Sequence, residues 1–156
     1  MIVSNMEANT DFMTTATAID QYKYINPLLL AYVGDAVYEL RVRKHLLDQG
    51  AVKMTGLHEQ AVGLVNAQRQ SLLYAQLEAE LTQEEQEVFR RGRNARSGHQ
   101  PPRVSVAAYR RATGVEALIG WLHLTGREER LDRIFEILFQ AQAVTDHSED
   151  EKGANS

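Results

Sequence analysis

Apolar residues recur at helical spacing in several stretches of this chain, and residues that start or stop helices bound each stretch. The first of these stretches opens at Asn26, a good N-cap, and continues with Pro27, which loses no hydrogen bond at the first helical position. Its apolar positions continue to about Leu47, and Gly50 marks its end. The pattern therefore predicts a long helix over about residues 27–47.

Three further features follow in the middle of the chain. Apolar residues at helical spacing predict a second helical region over about residues 57–81. Thr82 and Glu85 have the spacing of a capping box, which predicts a short acidic helix running toward Phe89. Glycines and prolines then interrupt any periodicity, so we expect a loop over residues 91–105.

The last third of the chain predicts two more helices. One begins at Ser105 or a neighbour, is apolar through Leu124 and ends at Gly126. The final helix has apolar residues at a spacing of 3.6, namely Leu131, Ile134, Phe135 and Leu138. No strand pattern, internal repeat or second domain is evident, so the sequence predicts an all-α bundle.

Length and composition are consistent with one helical domain in the cytoplasm. A chain of 156 residues can bury a core without a metal or disulfide staple, and it contains no cysteine for such a staple. The N-terminus has no basic segment followed by an apolar one, so no secretory signal is expected. We expect a disordered arm at 1–21, a domain at 22–142 and an acidic tail at 143–156.

Charge is distributed unevenly along the chain. The net charge of −4 argues weakly against a nucleic-acid partner. However, seven of the 17 Lys and Arg residues lie between Arg90 and Arg111, a stretch without any acid. The stretch therefore predicts a basic patch that the average over the chain hides.

Two acids lie inside apolar helices and are the main candidates for chemistry. They are Asp35 in the first helix and Glu116 in the helix that follows Ser105. Both helices are apolar nearly all round, which predicts that they are largely buried. A lone buried carboxylate costs several kcal/mol unless it is paired, protonated or bound to a cation.

Two interpretations of these acids remain open on residue pattern alone. If the two helices pack together, Asp35 and Glu116 can share one hard divalent cation, and oxygen ligands favour Mg²⁺ or Mn²⁺ over Zn²⁺. The alternative is a structural role, in which Glu39 pairs with Arg43 and Glu116 reaches Arg110 or Arg111.

Three motifs resemble one enzyme family. Leu-Leu-Ala-Tyr-Val-Gly-Asp-Ala-Val-Tyr-Glu-Leu at 29–40 resembles the ribonuclease III signature, and Val-Glu-Ala-Leu-Ile-Gly at 115–120 resembles that family's second acidic motif. Phe-Arg-Arg-Gly-Arg-Asn-Ala-Arg-Ser at 89–97 resembles the short Mini-III branch, which has the catalytic domain without a double-stranded RNA-binding domain. The resemblance covers about residues 22–142.

The resemblance implies a ribonuclease III endonuclease-domain bundle that acts as a homodimer on double-stranded RNA. Asp35 and Glu116 would be the catalytic and metal-binding residues, with Mg²⁺ as cofactor and Mn²⁺ as a substitute. The products would carry 5′-phosphate and 3′-hydroxyl ends. In the Mini-III branch the implied substrate is precursor 23S ribosomal RNA. Whether a ribosomal protein assists is left open.

The same resemblance implies a role for the arginines within residues 89–97, which we call the arginine block. Four of its arginines are candidates for phosphate contacts on an A-form duplex: Arg90, Arg91, Arg93 and Arg96. Such contacts would recognise shape and charge rather than base sequence. The alternative is a solvated basic loop without a partner.

Two departures from the family pattern keep other functions open. Ala31 stands where full-length ribonuclease III enzymes have a glutamate, and Thr113 stands where they have an aspartate. The Mini-III branch shows the same reduction. A non-catalytic RNA- or ribosome-binding protein of the same fold is the main alternative, and a helical adaptor without metal dependence is the third.

Overall fold

The computed structural model describes residues 21–22, 24–50, 74–96, 98 and 104–150, the last eleven of these by their backbone alone. The described part is helical. Its helices are α1 (Pro27–Asp48), α2 (Gln83–Asn94), α3 (Val106–Leu124) and α4 (Glu128–Asp150), and a 3₁₀ turn at Glu78–Glu80 precedes α2. The all-α prediction is confirmed.

The helix boundaries are set by the capping residues that the sequence indicated. The Asn26 side chain accepts a hydrogen bond from the Leu28 amide at 3.0 Å. Thr82 and Glu85 form a complete capping box at the start of α2, which confirms the predicted one. Ser105 caps α3 in the same way, since its hydroxyl accepts from the amide of Ala108.

Two glycines allow the chain to turn away after α1 and α3. Gly50 has φ +89° and Gly126 has φ +68°, a left-handed conformation that other residues rarely adopt. Both predicted helix ends are thereby confirmed.

Helix α3 is the centre of the described core. Its side chains are buried nearly all round, and α1 and α2 both pack against it. Its buried residues include Val115, Leu118, Ile119, Trp121 and Leu122. The predicted burial of this helix is therefore confirmed.

Helices α1 and α3 cross with their backbones in contact. A Cβ atom added at Gly34 would overlap the carbonyl oxygen of Glu116, and one added at Gly120 would overlap the carbonyl oxygen of Leu30. Only glycine permits an approach this close. The crossing therefore fixes the position of α1 against the middle of α3.

The prediction of a loop over residues 91–105 was wrong at its start. Helix α2 continues to Asn94, and Gly92 lies buried within it. A Cβ on Gly92 would lie 2.7 Å from the Cβ of Ala117, so this glycine permits the close packing of α2 on α3. The residue that indicated a break in fact serves helix packing, which outweighs its low helix propensity.

Helix α4 is held to the rest of the bundle by apolar contacts and ion pairs. Its predicted apolar residues, Leu131, Ile134, Phe135 and Leu138, are all buried. Arg130 binds the buried carboxylate of Glu85 at 2.6 and 2.8 Å. Arg41 of α1 binds Asp132 and Glu128 near the start of α4. The predicted acidic tail is helical as far as residue 150.

One face of α1 is exposed, so this helix is less buried than its apolar sequence predicted. Four large apolar side chains lie on the surface of α1: Leu29, Tyr32, Leu40 and Leu47. Tyr32 is 80% exposed and Leu40 67%. None of the described helices is both long and apolar enough to cross a membrane.

Some predictions fall outside the described residues. These are the arm at 1–20, most of the helix expected over 57–81 and residues 99–103 of the expected loop. Of the second helical region, residues 74–81 are described; residues 74–77 are helical and the 3₁₀ turn follows them.

Candidate active site

The crossing of α1 and α3 brings the two candidate acids together. Asp35 follows Gly34, and the backbone carbonyl of Glu116 lies against Gly34 from the facing helix. The two carboxyl groups are close enough that the charge of Asp35 raises the pKa of Glu116. The sequence pattern required this packing for a shared site, and the structure has it.

Glu116 is a partly buried carboxyl group. Burial first, and the nearby negative charge of Asp35 second, raise its pKa to about 8. In the absence of a cation the group is therefore mainly protonated at neutral pH. A cation placed between the two acids would reverse this preference, because opposite charge favours the ionised form.

Asp35 lies on the solvent-exposed side of α1, contrary to the expectation of a buried residue. Partial burial of its carboxyl group, and then the charge of Glu39, raise its pKa above the usual range. The sequence reasoning considered Glu39 only as an ion-pair partner. Glu39 follows Asp35 by four residues, a spacing that puts both side chains on one side of the helix. This spacing was the sequence feature that indicated an interaction between their charges.

Of the ion pairs that the structural alternative predicts, the described residues form only the one between Glu39 and Arg43. Arg43 donates to Glu39 at 3.3 Å, as the sequence indicated. Within the described ranges neither Arg110 nor Arg111 forms an ion pair with Glu116. In the same ranges no three acidic or histidine side chains form a metal-binding group.

The two positions that depart from the family pattern are closed off from the solvent. Ala31 is buried on α1, and Thr113 is buried on α3. The Thr113 hydroxyl donates to the carbonyl oxygen of Tyr109 at 3.0 Å, so its hydrogen bond is internal to the helix. Neither position contributes a charged ligand.

The arginine block divides into residues with different environments. Arg91 is partly buried and donates to the carbonyl oxygen of Ile25 at 2.9 Å. Arg93 lies over the ring of Phe89, 5.8 Å from its centroid. Arg90 and Arg96 are exposed.

The family follows from a comparison with known proteins. The family model described as "Ribonuclease III domain" matches residues 28–127, which include α1, α2 and α3 with both acids. The chain belongs to the ribonuclease III family. Within that family it resembles the Mini-ribonuclease 3 proteins, and it is an endoribonuclease.

Relatives of the same family cover most of this chain. Mini-ribonuclease 3 of Enterococcus faecalis is 47% identical over 115 residues, which are 72% of this chain and 87% of that protein. Mini-ribonuclease 3 of Brevibacillus brevis is 46% identical over 121 residues, or 78% and 88%. The crystal structure of a Fusobacterium nucleatum protein is 32% identical, has a TM-score of 0.68, and covers 76% of this chain and 95% of that one.

Proposed function

We propose that this endoribonuclease hydrolyses phosphodiester bonds in double-stranded RNA, with Asp35 and Glu116 as its catalytic and metal-binding residues. The observation that carries the proposal is the position of Glu116. It lies partly buried beside Asp35, and no cationic side chain pairs with it among the residues that the structure describes. Ribonuclease III enzymes generally use a divalent metal and act on double-stranded RNA.

The donor set fits a hard divalent cation. Carboxylate oxygens are the ligands that Mg²⁺ prefers, and Mg²⁺ keeps several waters when few protein ligands are present. Both carboxyl groups have raised pKa values, and Asp35 contributes to the shift of Glu116, so the pair needs positive charge to be ionised together at neutral pH. Mn²⁺, which accepts the same oxygen ligands, would substitute for Mg²⁺.

The protein's own residues position the reaction. Asp35 is accessible from the solvent, so a phosphate group can approach it, while Glu116 is anchored by the backbone contact at Gly34. When bound, the cation supplies activation of water and neutralisation of charge on the scissile phosphate. The rigid helix crossing holds the two carboxylates at a fixed separation, which favours catalysis by preorganisation.

The RNA duplex is held by phosphate contacts from the arginine block, including Arg90, Arg93 and Arg96. Contacts of this kind recognise the A-form backbone rather than a base sequence. As in the Mini-ribonuclease 3 proteins that it resembles, the substrate in the cell would be precursor 23S ribosomal RNA.

A homodimer completes the proposal. The exposed apolar face of α1 carries Leu29 and Tyr32, which a second copy of the chain would cover. Exposed apolar patches of this kind mark protein interfaces more often than free surfaces. Each protomer would contribute one site to the duplex.

The test is cleavage of duplex RNA with and without Mg²⁺. We expect cleavage with the metal by the parent protein, none by the Asp35→Asn variant, and normal cleavage by the control Glu129→Gln, which changes an exposed acid on α4. Binding of duplex RNA without any cleavage would favour a non-catalytic RNA-binding protein instead.

A further inference from the structure

Apart from Arg91, the described arginines fall into two groups according to whether they have acidic partners. All the described arginines of α1 and the first half of α4 are paired, as is the one that precedes α4: Arg41, Arg43, Arg127, Arg130 and Arg133. Lys44 also pairs, with Asp48 at 2.6 Å. The positive charges of these arginines are therefore occupied in ion pairs, several of which join one helix to another.

The second group lies on α2, on α3 and just after α2. It comprises Arg90, Arg93, Arg96, Arg110 and Arg111, which we call the open arginines. Among the residues that the structure describes, no carboxylate lies within ion-pair distance of any of them. Four are exposed and Arg93 is partly buried. Their charge is therefore available to a polyanion.

Two of the open arginines, one on each helix, converge on an aromatic pair. The rings of Tyr74 and Phe89 stack with centroids 3.6 Å apart, and Arg93 lies over Phe89. Burial first and Glu78 second raise the pKa of the Tyr74 hydroxyl, whereas Arg93 and Arg111 act to lower it. The Phe89 ring also lies against Gly114, which follows Arg111 by three residues on α3, so the stack lies near both arginines although they come from different helices.

We propose that Arg93 of α2 and Arg111 of α3, which come from the two helices beside the Tyr74–Phe89 stack, form a phosphate-binding subsite for duplex RNA, and that Arg91 lies outside it. The inference rests on the proposed function. It adds Arg111, which is not part of the arginine block at 89–97, and it gives Arg91 a different role.

Arg111 lies on the same helix as Glu116 but on a different side of it. Arg111 precedes Glu116 by five residues on α3, which is an axial offset of about 7.5 Å and a turn of about 140° around the helix axis. The subsite would therefore contact a phosphate at a different place on the duplex from the one at the candidate active site. Arginine also suits phosphate particularly well, because its planar group donates two parallel hydrogen bonds.

Arg91 forms a hydrogen bond within the fold and is not part of this subsite. Its guanidinium group donates to the carbonyl oxygen of Ile25, one residue before the N-cap of α1. It thereby ties the segment that leads into α1 to helix α2. We assign Arg91 to the stability of the fold rather than to the RNA surface.

The experiment measures binding of a short blunt RNA duplex in metal-free buffer over a range of salt concentrations. We expect Arg93→Gln and Arg111→Gln each to lower the affinity and to reduce the slope of log K against log salt by about one unit. Arg133→Gln removes the same charge from a paired position on α4, so its slope should match that of the parent. Arg91→Gln should keep the parent slope and unfold at a lower temperature.

Each outcome bears on the proposal. A parent slope in Arg111→Gln, with parental thermal stability, would overturn the subsite even if Asp35→Asn still abolishes cleavage. A reduced slope in Arg133→Gln would show a general effect of net charge and overturn it as well. A parent protein that binds no duplex RNA would remove the proposed function together with this subsite.

Discussion

At the scale of single residues, Glu116 shows how strongly position governs the chemistry of a carboxyl group. The protein contains 21 acidic residues. Another one, Glu85, is more deeply buried, but Arg130 binds it and its pKa is lowered despite the burial that opposes this. Glu116 has Asp35 as its neighbour, and its pKa is raised to about 8. A glutamate side chain is thus an ion-pair partner at Glu85 and a candidate metal ligand at Glu116.

Substitution of either candidate ligand should abolish cleavage without unfolding the protein. Changing partners of metal ligands costs 10- to 100-fold, so Asp35→Asn or Glu116→Gln should each lower the single-turnover rate by more than about 100-fold. Both changes keep the side-chain volume and remove charge. Near-parental rates in either variant, measured on duplex RNA in Mg²⁺, would contradict the assignment of the site.

The metal-free protein should lose stability as the pH rises from about 4.5 to about 8, and the loss should level off above that. The pKa of Glu116 is about 8 in the folded protein against 4.5 for an unperturbed glutamate, so between these pH values the folded state binds the extra proton. Stability from this group is therefore full below about pH 4.5 and is lost as the pH rises through about 8. The loss is at most about 5 kcal/mol, since one pKa unit corresponds to about 1.4 kcal/mol.

Urea unfolding at several pH values measures this dependence. Glu116→Gln should flatten it, because the amide does not titrate. Saturating Mg²⁺ should flatten it as well, because the bound cation keeps the group ionised. A parental pH dependence in Glu116→Gln would show that another group is responsible.

At the scale of helices, the glycine crossing determines whether the site can form. Alanine at Gly34 or Gly120 would place a methyl group on the backbone of the facing helix. We expect Gly34→Ala to destabilise the fold by about 1–3 kcal/mol or more, as overpacking does. Gly98→Ala is the matched control, since a Cβ there meets no atom within 4 Å. Equal melting temperatures for the two variants would rule out the close crossing.

The sequence correctly predicted the features that depend on residues close together in the chain, such as the helix caps. The side chains of Asn26, Thr82 and Ser105 bond to amides two or three residues away, so the sequence itself contains both partners. Gly92 is different, because its role depends on Ala117 and Gly114 in another helix. A pattern along one segment cannot distinguish a glycine that breaks a helix from one that lets two helices touch.

The candidate site, like the fold, was predictable from the sequence only in part. The sequence identified Asp35 and Glu116 and required that their helices pack together, which they do. It did not place Asp35 on an exposed face, because the apolar residues of α1 suggested burial on all sides. Leu29 and Leu40 are apolar yet exposed, and nothing along the segment tells which apolar face has a partner in the same chain.

At the scale of the whole molecule, the exposed face of α1 should determine the oligomeric state. Tyr32→Glu places a charge on that face, where Tyr32 is 80% exposed, and should shift the protein from dimer to monomer at micromolar concentration. Val106→Glu, at an exposed apolar position at the start of α3, is the control and should leave the state unchanged. Sedimentation velocity measures both. A monomeric parent protein would contradict the proposed dimer.

The separation of paired from open arginines also has a kinetic consequence. A molecule with a net charge of −4 would repel a polyanion if its charge were spread evenly. Among the described residues, the cations of α1 and α4 are neutralised locally while those beside Tyr74 are not, so positive charge is concentrated in one region despite the negative sum. The field of this region turns an approaching duplex toward it before contact and raises the rate of productive encounters. Orientation during diffusion, rather than overall attraction, would then govern how quickly this acidic protein captures its substrate.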